Sequence, residues 1–236
     1  ISRIFSSTHM GKLETMMKLE LDHFFILVEP EAKVANLLVE LGLEESYSRL
    51  HTGQGTSNRC FKFSNSMMEL LWLRDENEAE KGPAAGLKFP QRSSNQEASP
   101  FGLIFNRSAN TDVSHYSEMP FIGWIYQPDY FPVPNAFHIG SNSENLMEPL
   151  CIYVPFMEPV ERELVQGRFK SIKHVHLHVP VKSLSQELLL ASQADGLSIE
   201  CGGEHLLEVS FVGSNSEEAC GLSKDFRPEL PLILHW

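Results

Sequence analysis

The sequence contains little cysteine. Its four cysteines, Cys60, Cys151, Cys201 and Cys220, are widely scattered and include no Cys-x-x-Cys pair. Small secreted domains that depend on disulfides have a much denser cysteine framework. We therefore expect a protein of a reducing compartment, namely the cytoplasm.

Positive charge and long apolar runs are also scarce. Lysine and arginine together number 19 against 31 acidic residues, which gives a formal charge of -12 with no basic stripe to offset it. Such a field repels phosphate backbones and anionic lipid, so we expect no nucleic-acid partner. No apolar run approaches the roughly 20 residues that span a bilayer, so we expect no membrane insertion.

The first part of the chain predicts a compact module. Residues 1–19 lack the apolar centre of a secretion signal, and we interpret them as a leader or tag remnant. Residues 20–75 begin with an apolar strand and continue with an amphipathic helix that ends at Gly42. A polar strand region through 51–56 and two further strands at 59–63 and 67–73 follow, so we predict a βαβββ module.

A later stretch, residues 171–236, repeats this order in a shorter form. A strand is predicted over 173–179, a helix over 184–194, and strands over 197–200, 206–211 and 230–236. In both stretches a histidine near the start of the first strand is followed five residues later by valine. This recurrence predicts a second βαβββ module.

Residues 76–170 separate the two predicted modules. They contain a loop rich in proline, glycine and serine, and several aromatic residues. Candidate strands lie at 101–105, 122–126, 137–140 and 150–154. We predict an insertion that covers the sheet or lines a pocket, and the fold class is therefore α+β with paired βαβββ modules and a long inter-module insertion.

Four polar residues occupy matched positions in the two predicted modules: His23, Glu69, His174 and Glu208. If the modules pack around an approximate twofold axis, these side chains meet in one cavity. Two imidazoles and two carboxylates suit a divalent first-row metal, with Zn, Ni, Mn, Fe and Co all open, and such an ion polarises a substrate oxygen. The alternatives are a histidine bonded to a loop carbonyl and glutamates paired with nearby Arg or Lys side chains.

Further residues are candidates for catalysis or substrate binding. Glu69, Glu208 and His176 are the candidate proton-transfer groups. His176 and His178 share a strand face with His174, so they line the same cavity or lie on an open sheet face. Asn58 and Arg59 are candidate ligands for a substrate carboxylate, with an ion pair between Arg59 and Glu69 as the alternative. The other candidate substrate-binding residues are His178, Trp72, Trp124 and Tyr126; the alternative for the three aromatic residues is a place in the hydrophobic core.

These same residues carry a family resemblance. The stretches 21–28, 51–61 and 68–73, extended by 99–102, are similar to glyoxalase-like domain proteins of the vicinal-oxygen-chelate superfamily, which includes glyoxalase I, extradiol dioxygenases and fosfomycin-inactivating thiol transferases. The likeness covers about residues 20–130 and rests on His174 and Glu208 beyond them. It implies a cupped mixed sheet with a metal-dependent active site in the cup, and it leaves a homodimer open.

The resulting hypothesis is a metal-dependent enzyme that activates a small organic substrate by Lewis-acid catalysis. Lyase, isomerase, hydrolase and oxygenase chemistry, including that of a dioxygenase, all fit this description. The alternative hypothesis is a small-molecule binding protein of the same fold that sequesters its ligand without catalysis.

Overall fold

The computed structural model describes residues 18–107, 119–157, 165, 168–212 and 221–236. The leader predicted for residues 1–19 therefore lies almost wholly outside the described residues, as does Cys220. Within the described part of the chain, no helix combines the length and the apolar composition that crossing a bilayer requires.

The first half of a large sheet follows the predicted strand and helix order. Strand β1 pairs in parallel with β4, and β4, β3 and β2 continue as an antiparallel meander. The helix ends because Gly42 adopts a left-handed φ of 106° and its N–H bonds back to the last turn. The elements are β1 (Leu19–Leu27), α1 (Ala35–Leu41), β2 (Glu45–His51), β3 (Thr56–Lys62) and β4 (Met67–Leu73).

The second half of the same sheet repeats this pairing pattern. Strand β5 pairs in parallel with β8, and β8, β7 and β6 form an antiparallel meander. An antiparallel pairing of β1 with β5 joins the halves into one eight-stranded sheet, in the order β2-β3-β4-β1-β5-β8-β7-β6. The elements are α2 (Glu76–Lys81), α3 (Phe89–Ser94), β5 (Phe101–Arg107), β6 (Gly123–Tyr126), β7 (Phe137–Gly140) and β8 (Leu150–Tyr153).

The remaining strands form a separate five-stranded sheet in the order β10-β9-β11-β13-β12. Strand β9 pairs in parallel with β10 and antiparallel with β11, so this unit does not repeat the pairing of the first module. The elements are β9 (Ile172–Val179), α4 (Gln186–Ala191), β10 (Leu197–Cys201), β11 (Leu206–Phe211), β12 (Ser223–Asp225) and β13 (Leu232–His235).

The fold class is confirmed as α+β, with two mixed sheets, few helices and paired βαβββ-type halves. The position of the pairing along the chain differs from our expectation. We expected 171–236 to pair with 20–75, but the strands that complete the first sheet lie at 101–153, inside the predicted insertion of 76–170. The reason is that β5 occupies the free edge of β1, which leaves residues 171–236 to form their own sheet.

A shared hydrophobic core joins the two sheets. Phe24 and Ile26 of β1 belong to the same buried cluster as Val175 and Leu177 of β9. The alternate residues of β1, such as Phe25, belong to a second cluster on the opposite face of the sheet. Because side chains alternate across a strand, the eight-stranded sheet has one face toward the second sheet and another face away from it.

We predict that Leu177→Ala destabilises the protein by about 2–5 kcal/mol, because it removes a fully buried side chain from the shared core. The matched control is Leu189→Ala on α4, whose side chain is 48% exposed. Urea unfolding followed by circular dichroism measures both free energies of unfolding. Equal effects of the two substitutions would contradict a core shared by the two sheets.

Candidate functional site

A cavity of about 1000 Å³ lies on the face of the eight-stranded sheet that points away from the second sheet. Both halves of the sheet contribute to its walls, since the lining residues come from strands on each side of the β1–β5 pairing. The walls are mainly apolar and aromatic, and the residues include Phe25, Leu71, Leu87, Phe89, Ile104, Phe131, Phe137 and Ile152. The cavity therefore suits a small organic molecule with a large apolar part.

A histidine between two carboxylates supplies the polar centre of this cavity. The Nδ1 atom of His23 lies 2.5 Å from Oδ2 of Asp22, and its Nε2 atom lies 3.6 Å from Oε1 of Glu69. Strands β1 and β4 are neighbours and place both side chains on the cavity face. A proton on Nδ1 that is shared with Asp22 fixes the ring so that Nε2 faces Glu69.

A second polar group surrounds Gln54 on the cavity wall. Its Nε2 donates to Thr56 Oγ1 at 2.7 Å, and its Oε1 accepts hydrogen bonds from the hydroxyls of Tyr126 at 3.2 Å and Tyr130 at 3.1 Å. Burial raises the pKa of both tyrosines, so both are neutral donors at neutral pH. Nδ1 of His51 lies 3.0 Å from the same Thr56 hydroxyl.

The predicted four-residue metal site is divided between the two sheets. His23 and Glu69 meet at the cavity, but His174 and Glu208 lie on β9 and β11, where the alternate residues fill the shared core. The side chains of His174 and Glu208 therefore lie on the face of the second sheet that points away from the shared core. Nε2 of His174 lies 2.8 Å from Ser198 Oγ, so the structure does not bring the four predicted ligands together.

Glu208 instead belongs to a cluster of polar side chains on the outer face of the second sheet. Its Oε1 atom lies 2.9 Å from Nε2 of His178, and its Oε2 atom lies 2.7 Å from Nε2 of His235. Burial alone would raise the pKa of the Glu208 carboxyl, but the hydrogen bonds from the two histidines outweigh it and lower the pKa. His176 and His178 also belong to this cluster, so the structure places them on the solvent side of their sheet.

The predicted polar substrate ligands lie away from the cavity. Asn58 is buried, and its Oδ1 accepts a hydrogen bond from the backbone N–H of Arg49 at 2.8 Å. Arg59 donates to Glu45 through Nε at 2.8 Å and through a second nitrogen at 2.6 Å. The alternative of an Arg59 ion pair is thus observed, with Glu45 rather than Glu69 as the partner.

Of the three predicted aromatic residues, Tyr126 lines the cavity. Trp72 packs against the shared core, because it lies on the opposite face of β4 from Glu69. Trp124 is partly buried beside the cavity cluster, and its indole N–H donates to Ser143 Oγ at 3.1 Å. Neither tryptophan lines the cavity, and both pack against the neighbouring structure instead.

The metal-ligating groups of the cavity all come from the first half of the sheet. They are Asp22, His23, Glu44, His51 and Glu69, whereas Ile104, which lies opposite His23 on β5, provides no ligand. In the part of the chain that the structure describes, three metal-ligating atoms come within 4.8 Å of one another at His176, His178 and Glu200, outside the cavity. The donor set at the cavity does not form a complete protein site for a metal.

Sequence reasoning missed several residues of the cavity. Asp22 was visible as an acidic residue directly before His23, but an isolated carboxylate at a strand position carries no signal for its partner. His51 and Gln54 lie at the β2–β3 turn, and only the flanking glycines marked that turn. Tyr130, by contrast, is one of the aromatic residues of the 76–170 insertion that we expected to cover the sheet or line a pocket, and it does line the cavity.

No family model matches the sequence, and no curated protein matches it significantly. In fold the chain is similar to a hypothetical protein from Staphylococcus aureus, with 13% identity, 92% of this chain and 98% of that chain covered, and a TM-score of 0.55. A hypothetical protein from Bacillus halodurans is 17% identical over 61% of this chain and 99% of its own, with a TM-score of 0.39. Methylmalonyl-CoA epimerase from Mycobacterium tuberculosis is 14% identical over 61% of this chain and 92% of its own, with a TM-score of 0.35.

We predict that the pKa of His51 lies below its usual value of 6.5, because burial opposes the charged imidazolium. The nearby Glu69 charge acts in the opposite direction and raises that pKa. Glu69→Gln should therefore lower the pKa of His51 further. Imidazole NMR titration measures this pKa directly and separates His51 from the other histidines.

The matched control is Glu97→Gln, which removes one exposed acidic charge and should leave the pKa of His51 unchanged. A pKa of His51 above 6.5, or one that does not respond to Glu69→Gln, would contradict the described electrostatics. Since a depressed pKa means that the unfolded chain binds the proton first, neutral His51 contributes stability above about pH 6.5, which is lost as the pH falls through its folded pKa.

Proposed function

We propose that the protein is an enzyme of the vicinal-oxygen-chelate type that binds a small, mainly apolar organic molecule and transfers a proton at its reactive end. The observation that carries this proposal is the position of His23 between Asp22 and Glu69 in a cavity whose walls are rich in apolar and aromatic side chains. The repeated pairing of β1 with β4 and of β5 with β8 supports the superfamily assignment.

Glu69 and His23 act as the acid and base pair of the proposed proton transfer. Their facing atoms are 3.6 Å apart, so one substrate atom can approach both. Whichever group lacks a proton accepts one from the substrate, and the other donates one to an oxygen on which negative charge develops. Asp22 acts through His23, because its contact with Nδ1 holds the ring orientation.

Apolar surroundings strengthen these electrostatic interactions. Glu69 is 9% exposed, and leucine and phenylalanine side chains are prominent in the walls of the cavity that it lines. Charges in such surroundings interact more strongly than they would in water. The hydroxyls of Tyr126 and Tyr130 donate their hydrogens to Gln54, so their oxygens are left as acceptors for an N–H or O–H group of the ligand.

The metal dependence inferred from the sequence is not part of the proposed mechanism. His23 and Glu69 are a suitable imidazole and carboxylate pair, but Ile104 and Ile152 add no ligand from the second half of the sheet. We therefore derive no catalytic step through a metal. The chemistry assigned to the cavity uses the chain's own acid and base.

A second candidate function is non-catalytic binding of an apolar ligand. The predominance of aromatic side chains in the cavity, among them Phe25, Phe89, Phe131 and Phe137, favours it. Such a protein needs the walls of the cavity but has no need for proton transfer by Glu69.

We predict that the protein catalyses exchange of the α-hydrogens of aryl ketones or 2-oxo acids in heavy water. Both Glu69→Gln and His23→Gln should lower the exchange rate by about 10²-fold or more, because each removes a proton-transfer group. Proton NMR of the probe measures the rate, and quenching of tryptophan fluorescence measures binding of the same probe.

Glu97→Gln is the control for the loss of an acidic charge, and melting curves establish that each variant is folded. Exchange that persists at the wild-type rate in both cavity variants would refute the catalytic assignment. Probe binding without any wild-type exchange would favour the binding function.

A further inference from the structure

The outer face of the second sheet presents a group of imidazoles and carboxylates to solvent. Val175, Leu177 and Val179 of β9 point into the shared core, so the alternate residues His176 and His178 point outward. Strand β10 lies beside β9 in parallel and places Glu200 directly opposite His178.

Three of these side chains converge closely. Oε2 of Glu200 lies 3.5 Å from Nε2 of His176, and Oε1 of Glu200 lies 3.1 Å from Nδ1 of His178. The two imidazole rings stack with their centroids 4.3 Å apart. One ligand atom from each residue lies within 4.8 Å of the other two, which is the spacing that a single ion can bridge.

A second carboxylate orients one of the imidazoles. Glu208 Oε1 lies 2.9 Å from Nε2 of His178, and Glu208 Oε2 is held by His235 at 2.7 Å. When the Nε2–H of His178 donates to Glu208, the Nδ1 atom presents a lone pair toward Glu200. Two acceptor atoms 3.1 Å apart repel each other unless a proton or a cation lies between them.

We propose that His176, His178 and Glu200 bind a divalent first-row transition ion, of which zinc is the representative, on the outer face of the second sheet. Imidazole and carboxylate donors are the ligands that such ions prefer, and three of them leave positions for water. Glu208 is a positioning residue, because it acts through His178. This inference does not depend on the proposed function of the cavity.

The net charge of the chain also favours a cation at this place. The formal charge is -12, and the site itself combines two imidazoles with one carboxylate, so a divalent ion meets an attractive field. The side chain of Glu200 is 57% exposed, so an ion can enter from solvent without any opening of the fold.

The test is calorimetric titration of the full chain, freed of any affinity tag, with zinc chloride, together with visible absorption after cobalt(II) addition. We expect one tight zinc equivalent at this site. His176→Ala, His178→Ala and Glu200→Gln should each weaken zinc binding about tenfold or more, and Glu208→Ala should weaken it by about 10–100-fold while keeping the cobalt spectrum.

The matched control is His174→Ala, on the same strand and the same face, where Nε2 contacts Ser198 rather than Glu200. It should keep the wild-type affinity. The double variant His23→Gln/Glu69→Gln should also keep it, since the cavity lies on the other side of the shared core. Absence of zinc binding, wild-type affinity in the three ligand variants, or loss of binding only in the cavity variant would each overturn the proposal.

Discussion

The alternation of side chains along β1 decides what each face of the eight-stranded sheet does. Phe24 and Ile26 fill the core shared with the second sheet, while His23 and Phe25 line the cavity. A slip of one residue in the pairing of β1 would exchange these two sets and bury the histidine in the shared core. The register of β1 against β4 and β5 therefore fixes the core and the site together.

The meeting of β1 and β5 also shapes the floor of the cavity. Gly102 lies opposite Phe25, and a Cβ atom at this position would come within 2.1 Å of the Phe25 ring. The glycine thus lets the aromatic ring lie flat across the seam between the two halves. Because the second sheet covers the back of the large sheet, it contributes to the core without closing the cavity.

The local sequence pattern was sufficient for several elements and for singling out His23 and Glu69, which meet at the cavity. Strands β1, β3 and β4 and helix α1 follow from apolar periodicity and from Gly42, and Glu69 was recognisable as a carboxylate in an apolar strand. The partner of β1 was not recognisable, because strand pairing between distant segments depends on tertiary contacts that local patterns do not contain. The spacing shared by His23 and His174 was consistent with a repeat, but it contained no information on the faces to which these side chains point.

The two polar centres use the same motif in different surroundings. In each, an imidazole lies between two carboxylates: His23 between Asp22 and Glu69, and His178 between Glu200 and Glu208. At the cavity all three side chains are at most 16% exposed, so the low polarity of their surroundings strengthens the interactions between them. On the outer face the carboxylate of Glu200 is open to water, so a hydrated cation can exchange there. The two centres therefore share a motif but differ in burial and in donor spacing, because three ligand atoms from different residues lie within 4.8 Å of one another at His176, His178 and Glu200.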